Sequence, residues 1–239
     1  MKFYESHRVE IEETYNMLAD DESRRIFESV VAYKLSGRID LLEAAVSDKD
    51  EVYRTLLDAE NIHTAADLGA YNGDTLRELA EYAPKLTRVV AFEPDRRNFK
   101  KLSLYSEEEQ RFSTCAINAA AWSEDTTLSF SVEGNRNSSV TGAGKCAEVV
   151  ARSLDSVLEG ASVDYIKYDV EGSEREALLG SRSTIGAYAP RLLVSLYHKS
   201  EDIYELPILV NKLNPEYKLY LRRLPYIPAW DLNLYAKKS

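Results

Sequence analysis

Five polar side chains in this 239-residue chain share one kind of position, at or just past the end of a short apolar run: Asp67, Glu93, Asn118, Asp169 and His198. Carboxylates placed so can hold a cationic or hydroxylated ligand. An amide can read the edge of a flat ring, and an imidazole can take a proton near neutral pH. In an open sheet built from alternating strands and helices, ligands bind at the carboxyl ends of the strands. The five positions therefore read as one site assembled from five elements.

The first stretch runs Asp67-Leu68-Gly69-Ala70-Tyr71-Asn72-Gly73-Asp74-Thr75. Its glycines let backbone amides approach a ligand, and the helix that starts after Gly73 offers unpaired N–H donors. A dinucleotide fingerprint reads G-x-G-x-x-G, but the position two after Gly69 is Tyr71. An acid at the strand end repels a pyrophosphate and attracts a ligand that carries a sulfonium and an ammonium. S-adenosylmethionine (SAM) has both. Asp67, Gly69, Ala70, Tyr71, Asn72, Gly73 and Thr75 are the expected contacts to it, although a D-x-G turn can also be turn chemistry alone.

Glu93 follows the apolar run Val89-Val90-Ala91-Phe92 and lies 20 residues past Gly73, the distance at which an acid meets a ribose diol. Pro94 after it suits the first turn of a helix. Asn118-Ala119-Ala120 combines an amide with small residues that leave room for an adenine ring. The stretch Ile166-Lys167-Tyr168-Asp169-Val170-Glu171-Gly172 ends another strand in acids, and Lys167 inside it needs a carboxylate partner. Asp169 and Glu171 are expected to face the methyl group, to orient an acceptor or to bind a divalent ion. His198 is the expected general base. Asp169, Glu171 and His198 are also the candidate metal ligands, so a divalent ion stands as an open companion to SAM.

Positioning these groups requires an α/β fold. Short apolar runs near 63–68, 87–92, 112–118, 163–169, 190–197, 217–222 and 230–236 read as strands. Helical patterns near 73–83, 95–105, 173–187 and 202–213 separate them. The expectation is a mostly parallel seven-stranded sheet over residues 61–239, with crossover helices on both faces. Thr126 to Val132 alternates with period two, and the turn-rich Glu133 to Ser139 follows. This predicts an inserted strand and a loop, whose Ser138 and Ser139 are candidate acceptor contacts. Residues 1–60 read as a helical extension, with helices after Asp21-Glu22-Ser23, near 39–46 and near 49–59. Gly37 ends the first of these. The extension is expected to pack on the core or to support a homo-oligomer.

The composition sets the class of partner. A net charge of −10 argues against nucleic acid. The two cysteines, Cys115 and Cys146, form no metal-binding pair motif. The first residues lack the apolar core of a signal peptide, and no run is long enough to span a bilayer, so a cytoplasmic protein without membrane contact is expected.

Taken together, these motifs resemble the FkbM-type SAM-dependent methyltransferases. The resemblance rests on Leu18 to Ser23, Asp67 to Thr75, Phe92 to Asp95, Asn118 to Ala120, Ser153 to Asp155 and Ile166 to Glu174. Tyr197-His198 with Asp202, and Tyr217 to Arg222, extend it over nearly the whole chain. It implies a Rossmann-like class I methyltransferase α/β fold, SAM as methyl donor and, often, methylation of a hydroxyl on a sugar, natural product or other small molecule. Tyr71 stands where many SAM enzymes have Gly. The alternatives are a nicotinamide-dependent dehydrogenase or epimerase, and a non-catalytic SAM-binding protein.

Overall fold

The computed structural model describes residues 2–131, 146–225 and 231–238. Ser138 and Ser139 lie outside them. Ten strands follow in chain order: β1 (Thr64–Leu68), β2 (Arg88–Phe92), β3 (Ser113–Ile117), β4 (Ala120–Ala121), β5 (Thr126–Ser131), β6 (Cys146–Arg152), β7 (Tyr165–Tyr168), β8 (Arg191–Ser195), β9 (Tyr217–Arg223) and β10 (Leu232–Lys238). Seven form the main sheet in the order β3-β2-β1-β7-β8-β10-β9. Only β10 runs against its neighbours. The order reverses between β1 and β7, which leaves a crevice beyond their carboxyl ends.

All seven expected core strands are present. β1, β2, β7 and β8 are nearly continuous apolar runs because both faces are covered. The helices Asp74–Tyr82, Arg96–Glu108 and Asp202–Leu213 match the expected spans. The helix expected over 173–187 is instead two, Glu174–Leu179 and Arg182–Tyr188. The break at Gly180-Ser181 has a local cause. A Cβ on Gly180 would stand 1.9 Å from the carbonyl oxygen of Trp122, so another backbone passes through the gap. The Asp155 carboxylate then accepts from the amides of Ser183 and Thr184, both at 2.9 Å, and starts the second helix afresh.

The insertion also differs from the expected single strand. β5 pairs antiparallel with β6, and β4 pairs parallel with β6, which makes a small three-stranded sheet. The short β4 and β6 carry too little alternation to be read from sequence.

The first 60 residues are largely helical. The helix expected after Asp21-Glu22-Ser23 takes in those residues as Asp21–Ser36, and Asp20 caps it by accepting from the Ser23 amide at 2.8 Å. Gly37 ends it at φ 73°. Ile26, Phe27 and Val30 from this helix share a core with Leu219 and Leu221 of β9. The buried Arg222 of β9 reaches back to Asp20 at 2.7 Å, Glu51 at 3.4 Å and Glu22 at 3.6 Å. Among the described residues no helix is long and apolar enough to cross a membrane.

Candidate active site at the carboxyl end of the sheet

The turn after β1 is shaped by close approach. Gly69 adopts φ 98°, and a Cβ there would stand 1.9 Å from the Asp169 carbonyl oxygen, so two backbones touch side by side. Gly69 and Ala70 donate their amides to the Phe92 carbonyl at 3.1 and 2.8 Å, which ties the turn to β2. Tyr71 holds φ 47° and remains half-exposed over the turn. The side-chain oxygen of Asn72 is buried with no hydrogen-bond partner. Gly73 at φ 83° opens the helix Asp74–Tyr82.

Asp67 is buried under this turn and faces inward. Its two oxygens are engaged, one by the Thr75 hydroxyl at 2.5 Å and the other by Lys167 Nζ at 3.1 Å. Thr75 thus holds Asp67. Lys167 also reaches the Gly69 carbonyl at 3.2 Å and Asp169 at 3.6 Å. Burial works against the ammonium, but Asp67 and Asp169 outweigh it and hold its pKa above the ordinary lysine range. The partner that a strand-interior lysine requires is therefore Asp67, one strand away in register.

Glu93 is buried at the end of β2, with no ion-pair partner among the described residues. Burial pushes its pKa up to about 6, against hydrogen bonds from the Asp95 and Tyr71 amides. Pro94 follows it, and Asp95 caps the next helix through the Arg97 and Asn98 amides, both at 2.9 Å. Asn118 does not present its amide hydrogens outward. They go to the Glu93 carbonyl at 2.8 Å and the Pro94 carbonyl at 3.2 Å, so Asn118 braces the acidic turn beside it. Ala119 is buried and Ala120 begins β4, which packs this corner tightly.

Across the crevice, Asp169 accepts from the Tyr197 hydroxyl at 2.8 Å. Burial pushes its pKa up, but Lys167, Tyr197 and His198 bring it below the usual carboxylate range. His198 follows β8 and stands among three carboxylates. Its Nε2 lies 3.5 Å from Asp169 and 3.6 Å from Glu171, and its Nδ1 lies 2.9 Å from Glu174. Burial lowers its pKa, yet Glu174, Asp169 and Glu171 more than reverse this and leave it above the ordinary imidazole value.

Glu171 holds φ 54°, and its side chain is 91% exposed. The chain turns at this point instead of staying extended, yet Asp169 and Glu171 still reach the same ring nitrogen of His198. Glu174 comes inward on the other ring nitrogen. One ligand atom from each of Asp169, Glu174 and His198 can be chosen so that all lie within 4.8 Å of one another. Glu174 and Tyr197 are the neighbours of His198 that were not singled out in the sequence. A glutamate three residues after the turn, at the start of the next helix, was the available signal.

Asp67, Lys167, Asp169, Ser195, Asp231 and Asn233 share the lining of an internal cavity of about 190 Å³. The cavity joins the β1 turn to the middle of the sheet. The site as a whole presents a buried carboxylate on one side of the crevice and an imidazole flanked by carboxylates on the other.

The model of the methyltransferase FkbM domain matches residues 67–227. The chain belongs to the FkbM methyltransferase family. The match begins at Asp67 and takes in Glu93, Asn118, Lys167, Asp169, Glu174 and His198, while Leu18 to Ser23, Asp231 and Asn233 lie outside it. The family's fold is also that of methyltransferase FkbM from Methylobacillus flagellatus KT. That structure is 23% identical, has a TM-score of 0.81, and aligns over 98% of this chain and 60% of its own. This chain therefore spans about 60% of that protein's length. An rRNA methylase from Streptococcus thermophilus is 15% identical over 75% of this chain and 90% of its own, with a TM-score of 0.48. Fibrillarin from Aeropyrum pernix, solved with natively bound SAM, is 12% identical over 78% of this chain and 76% of its own, with a TM-score of 0.47. No curated protein matches the sequence.

Proposed function

We propose that this FkbM-family chain is a SAM-dependent O-methyltransferase acting on a hydroxyl of a small molecule such as a sugar or natural product. The observation that carries the reading is the pairing of His198 Nε2 with Asp169 at 3.5 Å, beside the crevice where the strand order reverses. It supports a proton acceptor beside the place where a methyl donor would lie.

The residues fit SAM. A buried carboxylate without a cation, Glu93, suits a ribose diol, and the orphaned oxygen of Asn72 suits a donor from the ligand. Gly69, Ala70, Tyr71 and Gly73 bring backbone close to the ligand beneath the half-exposed Tyr71 ring. Asp67 and Asp169 supply negative charge toward a cationic ligand, moderated by Lys167 between them. Thr75 and Asn118 also position Asp67 and Glu93 through their side-chain hydrogen bonds. When bound, SAM supplies an electrophilic methyl on a sulfonium.

The chain's own work is to orient the acceptor and take its proton. Asp169 and Glu171 would hold the acceptor hydroxyl against that methyl, and the electron pair of the C–S bond would stay with sulfur on transfer. The hydroxyl proton passes to His198 Nε2, and Asp169 stabilises the imidazolium that results. Asp169 and Glu171 flank the same nitrogen and orient the hydroxyl directly, with no metal needed in this reading.

Methyl transfer from labelled SAM to a panel of alcohols tests the proposal. The expected result is that His198→Gln retains S-adenosylhomocysteine binding and loses roughly 10²–10⁴-fold in turnover. Unchanged turnover at saturating SAM would sink the base assignment. Loss of activity on chelation would replace direct orientation with a metal.

A further inference from the structure

His198 Nδ1 and Glu174 Oε2 are both buried, and neither has a hydrogen-bond partner among the described residues. They belong to side chains in contact, since Nδ1 stands 2.9 Å from the other oxygen of the same carboxylate with its N–H axis missing that oxygen. One atom is a donor when protonated and the other is an acceptor, so each is what the other lacks. Active-site hydrogen bonds are often misaligned in this way before ligands bind.

The surroundings decide which nitrogen carries the proton. Glu174 is 1% exposed. Its Oε1 accepts from the Val170 and Gly172 amides at 2.9 and 3.3 Å, so the turn after β7 fixes the carboxylate on the closed side of the ring. The opposite edge of the ring carries Nε2, which faces Asp169 and the exposed Glu171. Asp202, at the start of the helix Asp202–Leu213, bears on both His198 and Glu174. Its carboxylate is committed to the Lys199 amide at 2.7 Å. A buried carboxylate beside one ring nitrogen fixes that nitrogen as N–H and leaves the other with its lone pair.

We propose that Glu174 is the positioning residue of His198, holding the proton on Nδ1 so that Nε2 is free to take the acceptor's proton. This rests on His198 being the base. Glu174 then plays two parts, since its Oε1 holds the turn that carries Glu171 while its charge selects the ring tautomer.

The two parts separate in Glu174→Gln, which keeps an oxygen for the backbone amides and removes the charge. The test is nitrogen-15 NMR of the full chain labelled at its three histidines, with His198 assigned by its loss in His198→Gln. It is read at a pH where the ring is neutral and needs no acceptor. The wild type should show a protonated Nδ1 and an unprotonated Nε2. Glu174→Gln should shift population toward the Nε2–H form that Asp169 favours, while a purely structural Glu174 would leave the tautomer unmoved. A wild-type ring already protonated at Nε2 overturns the proposal even if the variant fails to fold. So does a shift of His198 nitrogen resonances upon stoichiometric Mg²⁺ or Zn²⁺, because the orphaned atoms would then be metal ligands. With an alcohol that is turned over, Glu174→Gln should lower kcat roughly 10–100-fold at unchanged KM for SAM. It should add nothing in a His198→Gln background. If His198→Gln alone leaves turnover intact, the base assignment fails while the tautomer result stands by itself.

Discussion

Lys167 Nζ lies 3.1 Å from Asp67 Oδ1, a buried ion pair between neighbouring parallel strands directly beneath the glycine turn. Removing one partner leaves the other as an uncompensated buried charge. Lys167→Met should therefore destabilise the fold by about 3–5 kcal/mol. Asp67→Asn combined with Lys167→Met should recover much of that loss. Denaturant unfolding of the two variants checks both, and equal stability of the single and double variants would show that Asp67 is not what the ammonium neutralises.

Glu93 protonates near pH 6 because it is buried, against hydrogen bonds from the Asp95 and Tyr71 amides. A ribose diol donates to the carboxylate, so S-adenosylhomocysteine should bind more weakly as the pH falls through 6. Glu93→Gln should flatten that dependence and weaken binding about 10–100-fold near neutral pH, the worth of a hydrogen bond to a charged group. Calorimetry from pH 5 to 8 measures it. A wild-type affinity constant across that range would remove Glu93 from the cofactor contacts.

His198 carries opposite consequences for folding and for turnover. Its pKa is raised, since its carboxylate neighbours outweigh burial. A raised value means that the charged ring stabilises the fold fully below the ordinary imidazole pKa of about 6.5, and that this stabilisation fades as pH rises through the folded value. The neutral ring that acts as a base appears over that same window. Stability should therefore fall and kcat should rise together above about pH 6.5. His198→Gln should abolish both slopes, which unfolding curves and pH–rate profiles would reveal.

Asp20 joins the amino-terminal helices to the sheet through Arg222 and also caps the helix Asp21–Ser36. Asp20→Ala should cost about 1 kcal/mol for the cap alone. Asp20→Asn keeps the cap and removes the charge, so the difference between the variants isolates the cap. Burial raises the Asp20 pKa, but Arg222 and Ser23 bring it below the ordinary aspartate value. Its contribution is present above that value and is lost as pH falls through the lower, folded one. The acid limb of the wild-type stability curve should be steeper than that of Asp20→Asn.

The central strands were readable in advance because they are buried on both faces. Short apolar runs located β1, β7 and β8. Asp67, Glu93, Asp169 and His198 stand at strand ends as expected. Individual roles were not readable. Asn118 turned inward onto the Glu93 and Pro94 carbonyls, a choice set by a loop geometry that no spacing encodes. Glu174 comes back against His198 because the chain enters the left-handed region at Glu171 and Gly172. That turn reverses the alternation an extended strand would have kept. The split of the helix at Gly180 depends on Trp122, far away in sequence, and so was invisible locally.

The missing side chain at Gly69 has a reach beyond its own turn. With the Asp169 carbonyl oxygen 1.9 Å from where a Cβ would stand, the turn after β1 and the turn after β7 are in backbone contact. A shift of one drags the other. Altered substrate preference in this scaffold is therefore best sought at exposed Glu171 and Tyr71 with residues that tolerate their left-handed backbone, such as Asn or Asp. Libraries that insert or delete residues between Asp169 and Gly172 would disturb donor and acceptor recognition at once.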